Sequence, residues 1–120
     1  MRLDHVNIRT ARLDEMRAWY AAVLGLEEGW RPAFGFPGAW LYAGDAPIVH
    51  LVGVETTDRG GPTLQLEHFA LSGDDLTAFR ARLKAAGIAA EERPVPGTDL
   101  LQLHIADPDG NHIHIDFRTG

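Results

Sequence analysis

The chain has 120 residues, of which 45% are hydrophobic and 23% charged, and its formal net charge is −6 at pH 7. These values predict one soluble globular domain over residues 1–120. The 11 Lys and Arg residues are scattered, which argues against a nucleic-acid partner, and the absence of cysteine excludes disulfides and thiolate metal sites. No apolar run approaches about 18 residues, so we expect no membrane span. Because the N-terminus has no signal-peptide profile, a cytoplasmic protein is expected.

The first half of the chain predicts a strand, a helix and three further strands. Residues 3–9 alternate in polarity, with His5 on the polar face. Thr10 is expected to cap a helix over roughly 12–24, and Gly25 to end it. Strand patterns follow at 26–34, 39–43 and 47–53, and the last of these places His50 on the face that also carries Ile48 and Val52.

The second half repeats this order after a linker predicted at about 55–63, where Gly60-Gly61-Pro62 breaks regular structure. The elements expected are a strand at 64–71, a helix at 74–86, and strands at 88–93, 100–106 and 111–117. The sequence therefore predicts an α+β fold of two tandem βαβββ modules, module one over about 1–54 and module two over about 64–120. Both helices are amphipathic, so each should cover one face of its sheet.

Sequence similarity between the halves supports this division. Leu3-Asp4-His5 returns in the second half as Leu66-Glu67-His68, and at the same offset the helical anchors Leu13, Met16 and Tyr20 align with Leu76, Phe79 and Leu83. Equivalent positions of two related modules can meet across a pseudo-two-fold axis. A histidine at the same place in each half is thus a starting point for a metal site.

The last strand carries a second histidine pattern. A turn is predicted over Asp107-Pro108-Asp109-Gly110-Asn111. Strict alternation after it places His112, His114 and Asp116 on one face of the strand, and Ile113, Ile115 and Phe117 on the face expected against the helix layer. The polar face either meets solvent or lines a functional cavity.

These segments together resemble the vicinal oxygen chelate superfamily, which includes glyoxalase I, bleomycin-resistance proteins, fosfomycin-resistance transferases, methylmalonyl-CoA epimerase and extradiol dioxygenases. The resemblance covers the whole chain and rests on the two histidine triplets, on Trp19-Tyr20 with Val23-Leu24-Gly25-Leu26, and on the turn at 107–111. It implies paired βαβββ modules that form an open, barrel-like cleft, and a homodimer, in which the site lies within one chain or is shared by two.

The resemblance implies a metal site with His5, His68 and His114 as ligands and His50 as a candidate fourth. His114 stands where the family usually has Glu, so every ligand would be a neutral imidazole, which suits Zn, Fe, Ni, Cu or Co better than Mg or Ca. The expected cofactor is a divalent transition metal, namely Zn, Fe, Ni, Co or Mn. His104 is expected as an acid/base helper. Asp116 is expected to share that role, to orient a histidine ring, or to replace the missing carboxylate ligand. His112 is expected at the cavity mouth or in solvent.

The leading hypothesis is a divalent-metal-dependent enzyme whose small substrate chelates the metal, a Lewis acid, through adjacent oxygens. Isomerisation of the glyoxalase type is disfavoured by the loss of both family Glu ligands, and dioxygenase chemistry tolerates that loss better. The alternative is a metal-free protein that sequesters a drug or toxin, because Trp19, Trp30, Trp40 and Phe34 could stack on a flat ligand. An antibiotic-modifying transferase is disfavoured, since the sequence has no convincing Lys/Arg/Ser cluster. The loops at 27–38 and 94–99 carry no motif that would indicate the substrate.

Overall fold

The computed structural model describes residues 3–57 and 68–120. Leu66 and Glu67 of the repeated triplet, part of the predicted linker and the start of the strand predicted from residue 64 lie outside the described residues. The chain divides into two compact units, Met1–Arg59 and Gly60–Gly120. Each unit holds one of the two βαβββ modules.

Module one has one helix and a four-stranded sheet. Its elements are β1 (Val6–Thr10), α1 (Leu13–Leu24), β2 (Glu27–Gly29), β3 (Gly38–Ala43) and β4 (Ala46–Gly53). The strand order is β1-β4-β3-β2, with β1 parallel to β4 and the other neighbours antiparallel. The elements follow the predicted order, although β1 begins at Val6 instead of residue 3 and β2 is only three residues long.

The helix α1 is held to the sheet by one apolar face. Met16, Tyr20 and Val23, spaced three or four residues apart, are fully buried. The helix ends at Gly25, as predicted, and Gly25 has a φ of 69°. The prediction that Thr10 caps the helix is wrong: the N-cap is Arg12, and the Thr10 hydroxyl instead accepts a hydrogen bond of 3.0 Å from the backbone N–H of Arg12.

Module two repeats the architecture. Its elements are β5 (Phe69–Ser72), α2 (Leu76–Ala85), β6 (Glu91–Pro94), β7 (Leu100–Ala106) and β8 (His112–Arg118). The strand order is β5-β8-β7-β6, with β5 parallel to β8. Neither helix of the described residues is long and apolar enough to cross a membrane.

The core of module two lies under the inward face of β8. Ile113, Ile115 and Phe117 are almost fully buried, which confirms the predicted alternation. The helix α2 is capped by the side chain of Asp75, and of its described residues only Leu83 is fully buried. The opposite face of β8 is therefore left to His112, His114 and Asp116.

Strand register shows that the two modules are equivalent in detail. Asn7 and Ala70 are equivalent, because each stands two residues after a histidine of the repeat, His5 or His68. Asn7 pairs with His50 in module one, and Ala70 pairs with His114 in module two. His50 and His114 thus occupy the same position in the two sheets. The predicted fold class, α+β with two tandem βαβββ modules, is confirmed.

Candidate functional site

The polar face of β8 is positioned by the turn that precedes it. The carboxylate of Asp107, which is 5% exposed, accepts hydrogen bonds from the backbone N–H groups of Asp109 and Asn111 and from the Asn111 side-chain amide. Gly110 takes a φ of 84°, which a side chain would disfavour. This internally bonded turn fixes the register in which β8 leaves it.

Four histidines gather on the polar face of the module two sheet. The ring centroid of His68 lies 4.7 Å from that of His114 and 5.2 Å from that of His112. The ring centroid of His104 lies 4.8 Å from that of His114 and 5.1 Å from that of His112. His68 precedes β5, His104 lies on β7, and the other two lie on β8. Cross-strand pairing of His104 with His114 brings the group together.

His114 is the most buried histidine of this group, at 6% exposure, and it has a carboxylate partner. Its Nδ1 lies 2.6 Å from Oδ1 of Asp116. A carboxylate can only accept, so Nδ1–H is the donor, and a neutral His114 then carries its lone pair on Nε2. The hydrogen bond expected between Asp116 and a histidine is present, and it prepares Nε2 of His114 to bind a metal or accept a proton.

His104 and His112 form a hydrogen-bonded row with Gln102. Nε2 of His104 lies 3.0 Å from the amide oxygen of Gln102, and its Nδ1 lies 2.8 Å from Nε2 of His112. With Nε2–H donating to Gln102, neutral His104 accepts from His112 through Nδ1. Burial lowers the pKa of His104, and the positive charges of Arg93 and the neighbouring histidines add to this effect. His104 is therefore favoured in its neutral form.

His112 is half-buried within that row. The sequence predicts it at the cavity mouth or in solvent, and its contact with His104 does not match a freely solvated side chain. Strand alternation alone could not reveal its contact with His104, which depends on the register between β7 and β8.

Module one has a stack of three rings in place of the polar row. The ring of His50 lies 3.9 Å from that of His5 and 4.1 Å from that of Trp40, with interplanar angles of 10° and 11°. Nε2 of His50 donates to the carbonyl of Pro47 at 3.0 Å, which leaves its lone pair on Nδ1. Burial, followed by the charge of His5, lowers the pKa of His50.

An aromatic pocket borders this stack, wholly within module one. Its volume is about 130 Å³, and its lining residues are Asn7, Arg31, Phe34, Phe36, Trp40, His50, Leu51 and Val52. Sequence reasoning named Phe34 and Trp40 as candidates for stacking but did not single out Arg31. The guanidinium is brought to the pocket by the loop between β2 and β3, whose path no motif predicts.

The predicted ligands are found in adjacent pairs, His5 with His50 in module one and His68 with His114 in module two. Within residues 3–57 and 68–120, no three His, Asp or Glu side chains are arranged so that they could hold a metal ion. Stacked His5 and His50 direct their ring nitrogens along parallel planes, so they would have to rotate to share an ion. The chemistry of the donors nevertheless fits a transition metal, because they are imidazoles and two of them are paired with a carboxylate, His5 with Asp4 and His114 with Asp116, each at 2.6 Å.

Comparison with known proteins places these features in a family. The family model of the Glyoxalase/Bleomycin resistance protein/Dioxygenase superfamily matches residues 2–115. A manganese-dependent 2,3-dihydroxybiphenyl 1,2-dioxygenase of Geobacillus genomosp. 3 is 32% identical over 123 aligned positions, covering 92% of this chain and 37% of the relative. The chain thus spans little more than a third of that relative's length.

Two further relatives match over nearly their full length. Lactoylglutathione lyase of Salmonella typhimurium is 29% identical over 126 aligned positions, covering 96% of this chain and 91% of the relative. The crystal structure of a glyoxalase family protein from Bacillus anthracis superposes with a TM-score of 0.79 at 22% identity, covering 99% of this chain and 96% of that one, which shows a shared fold. The chain belongs to the glyoxalase/bleomycin resistance protein/dioxygenase superfamily.

Proposed function

We propose that this protein is a divalent-metal-dependent enzyme that binds a small substrate through two adjacent oxygen atoms. The proposed ligands are His5, His50, His68 and His114, two from each module. A bound Zn, Fe, Ni, Co or Mn ion would act as a Lewis acid toward the substrate oxygens. The proposal covers dioxygenase-, lyase- and isomerase-type chemistry, because the chain's own residues favour none of them decisively.

The observation that carries the proposal is the partly buried hydrogen bond between His114 and Asp116. A histidine whose Nδ1–H is held by a carboxylate has a fixed ring orientation and its lone pair on Nε2, which is the usual arrangement around a metal-binding imidazole. His50 occupies the equivalent register position in module one, and its lowered pKa favours the neutral form that binds metals.

The remaining polar side chains would orient ligands and handle protons. Asp116 is proposed as the positioning residue for His114. His104, 4.8 Å from His114 by ring centroids, is proposed as the acid/base group, with Gln102 and His112 fixing its tautomer. A fixed tautomer presents the proton acceptor in one orientation only.

One relative supports metal dependence and adjacent oxygens. It is named as manganese-dependent, and the 2,3-dihydroxybiphenyl of its name carries hydroxyl groups on neighbouring carbons. The family match over residues 2–115 also supports a single domain. We further propose a cytoplasmic homodimer, on the basis of the family resemblance.

Metal content tests the proposal. Wild-type protein purified without chelators, and then incubated with each of the five metals, should hold about one ion per chain by elemental analysis. His114→Ala should lose that ion. His112→Ala is the matched control, because it removes an imidazole from the same strand face but not a proposed ligand, so it should retain the metal. A wild type that takes up none of the five metals, or equal loss in both variants, would overturn the proposal.

The aromatic pocket of module one favours a second candidate, a metal-free protein that sequesters flat drugs or toxins. This function predicts tight ligand binding that is the same with and without metal and is unaffected by His114→Ala. The enzyme predicts turnover that both metal removal and His114→Ala abolish. Measuring ligand affinity and turnover on the same two proteins therefore separates the candidates.

A further inference from the structure

The pocket of module one has the size and wall chemistry for a single flat ring. Its volume of about 130 Å³ is close to the cavity of about 150 Å³ that holds benzene in an engineered protein. Trp40 and His50 are stacked with an interplanar angle of 11°, and the rings of Phe34 and Phe36 are also stacked, with an angle of 11°. Aromatic faces of this kind favour an unsaturated ligand over a saturated one.

Arg31 gives the pocket a positive charge that no carboxylate of the described residues neutralises. Its guanidinium carbon lies 5.1 Å from the ring centre of Phe34 and 5.2 Å from that of Phe36, and its Nη2 donates to the carbonyl of Phe36 at 3.0 Å. Nε of Arg31 is buried and has no hydrogen-bond partner within residues 3–57 and 68–120. In this part of the chain the guanidinium thus makes one hydrogen bond, to an uncharged acceptor.

Several other arginines of this acidic chain do have a carboxylate partner. Five of them have an Asp or Glu oxygen within 4 Å, namely Arg12, Arg17, Arg80, Arg93 and Arg118. Burying part of a guanidinium beside a pocket without such a partner is costly unless a ligand supplies the negative charge. A planar guanidinium matches a carboxylate in particular, since two parallel N–H groups can meet its two oxygens.

The backbone preserves the space in which the guanidinium lies. A Cβ atom at Gly38 would lie 3.0 Å from Nη2 of Arg31 and 2.4 Å from the carbonyl oxygen of Leu51. Glycine at this position therefore lets the arginine approach β3. The two aromatic rings on its other side restrict its motion, so the charge is held at the pocket.

We propose that this pocket binds a one-ring aromatic carboxylate, with the ring between the aromatic walls and the carboxylate on Arg31. All residues that line the pocket belong to module one, so the proposal that it binds this ligand does not require a bound metal. The further proposal that the enzyme's substrate belongs to this chemical class rests on the proposed function. A substrate of this class would combine the aryl carboxylate with the adjacent oxygens that the proposed metal requires.

The test is a comparison of three ligands on chelator-treated wild type by isothermal titration calorimetry. Benzoate should bind at least about 10-fold more tightly than benzamide, which has the same shape without the charge, and more tightly than cyclohexanecarboxylate, which has the charge without the flat ring. In an NMR titration with benzoate, the indole N–H signal of Trp40 should shift and that of Trp19 should not. Equal affinities for benzoate and benzamide, or no binding of benzoate, would overturn the proposal.

Arg31→Gln identifies the group responsible. Glutamine can still donate to the Phe36 carbonyl, so the affinity for benzamide should not change. Because glutamine has no positive charge, the variant should bind benzoate as weakly as wild type binds benzamide. Arg12→Gln, which removes the same charge outside the pocket, should bind benzoate as wild type does. If Arg31→Gln weakens both ligands equally, Arg31 only supports the loop and the proposal is wrong. Because no metal is present, these outcomes are independent of the metal measurement.

Discussion

The two modules place different chemistry on equivalent positions of one scaffold. Trp40 pairs with His50 in module one, and His104 pairs with His114 in module two. The ring beside the equivalent histidines is therefore an indole in one module and an imidazole in the other. Module one gains an aromatic wall and a pocket, whereas module two gains a hydrogen-bonded histidine row. A repeated fold thus separates a proposed ligand-binding half from a proposed proton-handling half.

The modules also differ in how firmly their helices pack. Met16 of α1 is fully buried, and its repeat equivalent in α2, Phe79, is only half-buried against Phe117. Met16→Ala should lower the free energy of unfolding by about 2–5 kcal/mol, because the cavity it leaves is enclosed. Phe79→Ala should cost about half as much, since part of the ring already meets water. Urea titrations of both variants measure the difference, and equal losses would contradict the comparison.

The turns before the last strands of the modules provide a second contrast. Asp107→Ala should cost about 2–3 kcal/mol, because it leaves the N–H groups of Asp109 and Asn111 without their acceptor. Asp45→Ala, in the shorter and exposed turn of module one, should change the free energy of unfolding by less than about 0.5 kcal/mol. Asp107→Asn keeps one acceptor oxygen and should fall between these values in the same titration.

The two modules carry glycine at different places in the same strand pair. In module two Gly73 lies beside Phe117 of β8, and in module one a glycine takes the place of that phenylalanine. A Cβ at Gly73 would lie 2.3 Å from the ring of Phe117, so Gly73→Ala should destabilise the protein by about 1–2 kcal/mol. Gly53 holds the position in β4 that Phe117 holds in β8, and a Cβ there would meet Pro37 and Leu13 at 3.1 and 3.2 Å. Gly53→Ala should therefore lower the midpoint of thermal unfolding less than Gly73→Ala, and the reverse order would show that the ring of Phe117 can move aside.

The smallest effects are expected at an ion pair that both modules share. Arg17 pairs with Glu28, and Arg80, at the equivalent position of the second helix, pairs with Glu92. Each pair joins a helix to an edge strand at the surface. Glu28→Gln and Glu92→Gln should lower the midpoint of thermal unfolding slightly and to a similar extent, and high salt should remove the effect by screening. A salt-independent loss in one variant would mean that its pair has a structural role beyond charge.

The sequence alone determined the repeat, the order of the elements and the faces of the strands. These follow from local signals: period-two alternation at Ile113 and Ile115, helical spacing at Met16 and Tyr20, and Gly25 as a helix end. The pairing of His114 with Asp116 was also within reach, because alternate residues of a strand share a face.

Only the tertiary structure decided which residues meet across strands and loops. The contact of His104 with His112, and the stack of Trp40 on His50, depend on strand register, which is set by turns and by a register shift at Leu41/Tyr42 rather than by any local pattern. The position of Arg31 depends on a long loop that has no periodic signal. Contacts between residues distant in sequence are chosen by the packing of the whole module, so the pocket could be found only in three dimensions.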